Sequence, residues 1–199
     1  MKTFSCKIHD ITFNARAEEP LYPQVQTLFQ TIQAIPAKNI RNGYSIEFGF
    51  TVFFLVEKGN EYCIVAPDYK KYPYSDTTED LTIALWIQLE QAHLLRLYNL
   101  ECEGVRFDDK VIVAKNALQE NAIYLQRFSN CGKGDSGWCI KPVEHGEAGD
   151  FEAYYAYQLL SIRPALIKAL ILPYEYIVIF EGDTIVSIMN EQDEDIIGT

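Results

Sequence analysis

The sequence predicts an α+β fold: mostly antiparallel sheets, with one long helix and shorter C-terminal helices packed on their faces. Three observations carry this expectation. Residues 79–99 repeat apolar side chains with helical period, placing Leu81, Leu85, Leu89, Ala92 and Leu95 on one face. Short runs of Val, Ile, Phe and Tyr recur on both sides of that segment and read as strands. Turn sequences such as Lys58-Gly59-Asn60 and Glu181-Gly182-Asp183-Thr184 join neighbouring runs as hairpins. The 199 residues are 48% apolar and 23% charged, a balance that builds a core.

In chain order, residues 1–15 alternate loosely, as one strand or a short hairpin. Glu18-Glu19-Pro20-Leu21-Tyr22-Pro23 is a turn-rich link, because each Pro biases its predecessor away from helix. Residues 24–35 space Val25, Leu28, Phe29 and Ile32 by three and four, a short amphipathic helix that stops before Pro36. Residues 44–57 form a strand region, apolar on both sides around residues 52–56 and therefore expected at the centre of a sheet. Residues 61–66 complete its hairpin. Thr77 and Asp80 resemble a capping box opening the long helix, where Ile83, Trp86, Ile87, Leu94 and Leu97 predict cover on most sides.

Residues 111–114, 122–128 and 136–143 read as strands. Residues 151–160 have a helical pattern with Asp150 as N-cap, and Pro164 opens a second helix through Leu170 that Pro173 ends. Residues 176–180 and 185–189 pair as a hairpin, followed by an acidic tail. A boundary near residues 116–130 separates an N-terminal α+β region, 1–120, from a C-terminal one, 121–199, unless the two share one sheet.

Charge narrows the partners. Seventeen Lys and Arg against 28 Asp and Glu give a net charge of −11, which repels phosphates and argues against a nucleic-acid ligand. The most apolar stretch, residues 50–56, is far short of the ~20 residues a bilayer span needs. The first ten residues lack an apolar signal region, so a cytoplasmic protein is expected. Five cysteines, odd in number and without a C-x-x-C pair, point to reduced thiols rather than a disulfide framework or a zinc site. No cofactor is expected.

Several motifs invite a catalytic reading. Gly134-Asp135-Ser136-Gly137 has the local context of a serine-protease nucleophile, but only His9, His93 and His145 exist as bases, and Trp138 stands where another Gly is expected. A tight Gly turn, with Asp135 capping backbone N–H groups and Trp138 entering the core, accounts for the same residues. Glu90 and His93 share the i, i+3 spacing of di-iron bundles, but no second such pair exists. Gly132-Lys133-Gly134 is too short for a phosphate-binding loop. Cys139 beside Trp138 reads as a packed thiol. Glu191, Asp193, Glu194 and Asp195 lack the pattern of a calcium loop and form either a solvated end or a negative patch that steers a basic partner.

One resemblance adds to this reading. Gly134-Asp135-Ser136-Gly137-Trp138-Cys139-Ile140 resembles the Asp-Ser-Gly-Trp core of the thirty-third immunity family of bacterial polymorphic-toxin systems, formerly a domain of unknown function. Leu172-Pro173-Tyr174-Glu175-Tyr176-Ile177-Val178-Ile179-Phe180 resembles the family's closing segment, departing from it at Tyr174, where Gly is common. The likeness covers residues 121–199, and the first 120 residues look like an attached region. It implies binding rather than catalysis: a cytoplasmic protein that inhibits a cognate toxin, with net charge suited to a basic partner. Asp135, Ser136, Gly137 and Trp138 carry over as a motif that is structural or partner-binding. Tyr69, Tyr72, Tyr74, Tyr154, Tyr155 and Tyr157 are candidate contact residues. Two alternatives remain open: a non-catalytic interaction or ligand-binding regulatory module, and a hydrolase using Ser136 or Cys139.

Overall fold

A computed structural model of the chain describes residues 1–144 and 149–197. Its internal contacts divide it into two units, Met1–Glu90 and Gln91–Thr199. The fold is α+β, with a mixed six-stranded sheet in each unit.

The first unit opens with a hairpin, β1 (Lys2–Ile8) and β2 (Ile11–Ala17). His9 and Asp10 close it with φ of 48° and 64°, the pair of positive values that a two-residue turn between twisted strands requires. Helix α1 (Tyr22–Gln33) follows, with Val25, Leu28, Phe29 and Ile32 buried as their spacing demands. Next come β3 (Ser45–Phe48), β4 (Thr51–Lys58), β5 (Glu61–Pro67), the two-residue β6 (Thr77–Thr78) and helix α2 (Thr82–Leu97), inside which the chain passes to the second unit. The strand order is β1-β2-β5-β4-β3, with β6 also on β5. β2 and β5 run parallel and the other neighbours antiparallel. Phe13, Val25, Leu28, Ile32, Phe53, Leu55, Leu81 and Leu85 are fully buried in this unit's core.

Three details depart from the sequence expectations. Residues 44–57 form two strands, because the chain turns at Gly49 (φ 59°) and the Gln88 amide donates to the Phe48 carbonyl at 2.6 Å. Thr77 lies in β6 rather than capping the helix. Asp80 is the capping residue, its carboxylate accepting from the Thr82 N–H at 3.1 Å, so α2 begins at Thr82. The long helix is not covered on most sides throughout: near its end Ala92 and Leu97 are exposed.

The second unit contains β7 (Lys110–Ala114), β8 (Ala122–Arg127), β9 (Asp135–Pro142), β10 (Phe151–Tyr155), the single-turn helix α3 (Leu159–Ile162), a 3₁₀ segment Pro164–Ile171, β11 (Ile177–Glu181) and β12 (Thr184–Met189). The order is β10-β7-β9-β8-β11-β12, with β7 and β9 parallel. β7, although it precedes residue 121, therefore shares a sheet with β8 to β12. On the inner face Val111, Ile123, Leu125, Trp138, Ile140, Val178, Phe180 and Ile188 are fully buried, as are Leu166, Ile167 and Leu170 of the 3₁₀ segment. Gln91 of α2 ties that segment down by donating to the Ile167 carbonyl at 3.1 Å.

Residues 151–160 are not one helix. Phe151 to Tyr155 pair antiparallel with Ala114 to Lys110, and only Leu159–Ile162 is α-helical. An aromatic segment beside the open edge of β7, whose other edge pairs with β9, satisfies its backbone as β, overriding a weak helical period. Among the described residues no helix is long and apolar enough to cross a membrane.

Candidate functional site

The Asp-Ser-Gly-Trp motif builds a bulge at the start of β9. Lys110 of β7 sits opposite Asp135 and Ile112 opposite Cys139, so Val111 alone spans what Ser136, Gly137 and Trp138 span on β9. Each motif residue has a place in that distortion. The Asp135 carboxylate accepts from the Gly137 N–H at 3.0 Å, an Asx turn that starts the bulge. The Ser136 hydroxyl donates to the Lys110 carbonyl at 2.6 Å and accepts from the Trp138 N–H at 3.2 Å. It thus satisfies two backbone groups that the broken ladder leaves behind. Gly137 has φ 78°, and a Cβ there would lie 2.3 Å from the Phe128 carbonyl oxygen, so only glycine fits.

The bulge turns Trp138 fully into the core, where its indole N–H donates to the Leu170 carbonyl at 3.1 Å. It also aims the Ser136 carbonyl at Arg127, the last residue of β8. Arg127 is 1% exposed. Its Nε donates to Ser136 O at 3.0 Å, and its Nη1 donates to Glu103 O at 2.7 Å and to Leu172 O. The guanidinium lies 4.4 Å from the Tyr174 ring centre and 5.6 Å from that of Trp138. Burial pulls its pKa below the usual guanidinium value, opposed by Tyr174 and Glu103, and Arg stays charged at any working pH. The side chain of Arg127 joins the bulge, the loop after α2 and the chain leaving the 3₁₀ segment. Burial likewise raises the Tyr174 hydroxyl, with Arg127 pulling the other way.

Sequence reasoning placed Asp135, Ser136, Gly137 and Trp138 together and missed Arg127, which links three of the surrounding segments. A second buried arginine, Arg163, does the same for the hairpin end. It donates to the carbonyls of Glu120 at 2.8 Å, Asn121 at 3.3 Å and Gly182. Asp135→Ala removes one cap from this arrangement and is expected to lower stability by about 1 kcal/mol, a single hydrogen bond's worth, read from the urea midpoint.

The nucleophile readings find little support here. Ser136 is 2% exposed with its hydroxyl engaged as described. His9 sits in the β1–β2 turn with Nε2 3.1 Å from the Ile35 carbonyl, His93 is exposed on α2, and His145 lies outside the described residues. Cys139 is buried, and burial pushes its thiol up, away from the reactive thiolate. Cys139 and Cys131 line a surface cavity of about 270 Å³ beside the bulge, with Phe128, 41% exposed, at its edge.

The acidic tail folds back rather than trailing away. The Asn190 side-chain oxygen accepts from the N–H groups of Gln192 at 3.0 Å and Glu194 at 2.9 Å, and Ile196 N–H donates to Ile188 O at 2.9 Å. Glu191, Asp193, Glu194 and Asp195 are all exposed on this turn. Glu191 and Glu101 both lie near Tyr176, whose hydroxyl is raised first by burial and then by these two carboxylates. Glu101 is exposed as well, so the negative surface extends from the tail to the loop after α2. Of the tyrosines, Tyr69 is buried, donating to the Thr51 hydroxyl at 2.6 Å, whereas Tyr72, Tyr74 and Tyr155 are exposed.

No curated protein and no solved structure matches this chain. The Imm33-like domain does match, over residues 90–191, a span that holds the motif, the bulge, Arg127 and the second sheet. With just over half of its length matched, the chain belongs to the Imm33-like family of immunity proteins.

Proposed function

We propose that this chain is an immunity protein that neutralises a cognate bacterial toxin in the cytoplasm by one-to-one binding, without turnover. Its membership of the Imm33-like family carries the reading. The geometry supports a division of labour within the second unit. Asp135, Ser136, Gly137 and Trp138 serve the fold, because their polar groups are spent on backbone and the indole is buried. Contact with the toxin falls to exposed groups, with Glu191, Asp193, Glu194, Asp195 and Glu101 forming a negative surface. Such a surface suits a basic toxin protein, and a net charge of −11 speeds its capture while repelling nucleic acid.

This reading expects a toxin to be encoded beside this gene, and the test uses that toxin. Co-expression should rescue a sensitive host, and the purified proteins should titrate to a one-to-one complex. A toxin that stays active and unbound in the presence of excess chain overturns the proposal. The contact surface has its own test. Replacing Glu191, Asp193, Glu194 and Asp195 by Gln and Asn keeps every side-chain oxygen used in the turn and should leave stability within about 0.5 kcal/mol. Association with the toxin at low salt should slow roughly tenfold, and its dependence on ionic strength should flatten. An unchanged association rate removes the tail from the interface.

A further inference from the structure

β1 is an edge strand, and the turn that closes its hairpin determines which backbone groups it leaves open. Ile8 and Ile11 flank a two-residue turn and form the hydrogen-bonded pair, so Phe4 and Cys6 also bond inward to β2. Thr3, Ser5 and Lys7 therefore point their N–H and C=O groups away from the sheet. At seven residues β1 is the longest of the four strands that end the two sheet orders; β3 has four, β10 five and β12 six. An edge of this length is ready to pair with another strand.

Alongside this edge runs a groove of about 430 Å³, with Thr3 to Cys6 as one wall and α1 as the other. Tyr22, Gln26, Phe29, Gln30 and Gln33 form the helical wall, on one face of α1. Tyr22 is 45% exposed, and its ring lies 5.1 Å from that of Phe4. The charge pattern is the second observation. On a chain of net charge −11, neither α1 nor the groove wall contains a single Asp, Glu, Lys or Arg. The cations at the two ends of β1 are paired, Lys2 with Glu19 at 2.8 Å and Lys7 with Asp10 at 3.1 Å. Charge depletion around aromatic side chains marks the centre of protein interfaces.

We infer that β1 and α1 form a docking groove for an extended, uncharged segment of a partner protein, which adds to the first sheet as a strand beside β1. The backbone row supplies register, and the groove takes alternate apolar side chains of the incoming strand. The groove matches that segment in charge, being neutral on an acidic protein. It lies in residues 1–89, before the Imm33-like match, and does not depend on the toxin reading.

A random nonapeptide library displayed on phage and selected against the full chain tests this. The enriched peptides should alternate apolar with uncharged polar residues. A synthetic copy of the best one should slow amide exchange at Thr3, Ser5 and Lys7 while leaving Phe4 and Cys6 unchanged. Ser5→Pro deletes an outward N–H, a change that an edge strand tolerates, and should weaken that peptide roughly tenfold. Gln30→Lys, at an exposed helix position, places a charge in the groove and should weaken it similarly while preserving the melting temperature. Failure to enrich any peptide, or binding that leaves the three amides exchanging freely, overturns the inference. So does a dimer of the free chain that Ser5→Pro dissolves, because the occupant is then a second copy.

Discussion

Arg127→Ala should destabilise the second unit by about 4 kcal/mol or more, since each buried acceptor left without a partner costs about 1–3 kcal/mol. The substitution orphans the buried carbonyls of Ser136 and Leu172, takes the donor from the part-buried Glu103 carbonyl, and removes a cation that lies near the rings of Tyr174 and Trp138. A buried charge is often dispensable when its whole polar network is replaced by apolar groups, but here the partners are backbone and cannot be replaced. Arg127→Met isolates that point, because it fills most of the volume and still leaves the carbonyls unpaired. It should therefore recover only part of the loss. Arg127→Lys keeps the charge yet lacks the planar fork, cannot donate in three directions at once, and should fall between wild type and Ala. The two tryptophans make the measurement clean, since Trp86 belongs to the first unit and Trp138 to the second. Urea unfolding followed by Trp138 fluorescence in a Trp86→Phe background reports the second unit alone. A midpoint for Arg127→Ala that implies a loss under about 1 kcal/mol would remove the brace from the account of this fold.

Arg127 also shows where the sequence was legible and where reading stopped. Residues 122–127 alternate, and Arg127 shares the parity of Ile123 and Leu125, which are both fully buried. The strand and its parity are both legible in the sequence, but an arginine at the end of a strand ordinarily reads as solvated. Trp138 entering the core belongs to the tight-turn reading of Gly134 to Gly137, and the structure buries it fully. The bulge did not, because it exists only relative to β7, and no local pattern reports how many residues a partner strand will spend on the same span. β10 fails for the same reason: pairing with β7 decided its state, while the periodicity of 151–160 was too weak to resist. α1, by contrast, has its buried positions where the spacing put them, since an amphipathic helix declares its inner face locally. The acidic tail could be read as exposed from composition alone. Its return onto β12 through Asn190 could not, because that turn depends on one side-chain oxygen accepting hydrogen bonds from two backbone N–H groups.

Trp138→Ala should cost about 3–5 kcal/mol, the range for truncating a large core side chain. The loss has two sources beyond the cavity: the Leu170 carbonyl loses its donor, and Arg127 loses one of the two rings beside it. Because the indole and the guanidinium act on one another, the double variant Trp138→Ala with Arg127→Met should be less damaged than the sum of the single ones. Strict additivity would mean that the two side chains stabilise separate regions, and the motif would then not be a single device. The same variant separates a structural role for the motif from a contact role. Under the proposed immunity role, and with the motif as a structural element, Trp138→Ala weakens toxin binding only to the extent that it unfolds the second unit, and binding measured well below its lowered melting temperature approaches that of the wild type. Trp138→Phe, which refills much of the cavity but cannot donate to Leu170, should recover stability and binding in step. A Trp138→Ala protein that melts like wild type yet fails to bind the toxin reverses the assignment, making the indole a contact surface and the bulge the means of presenting it.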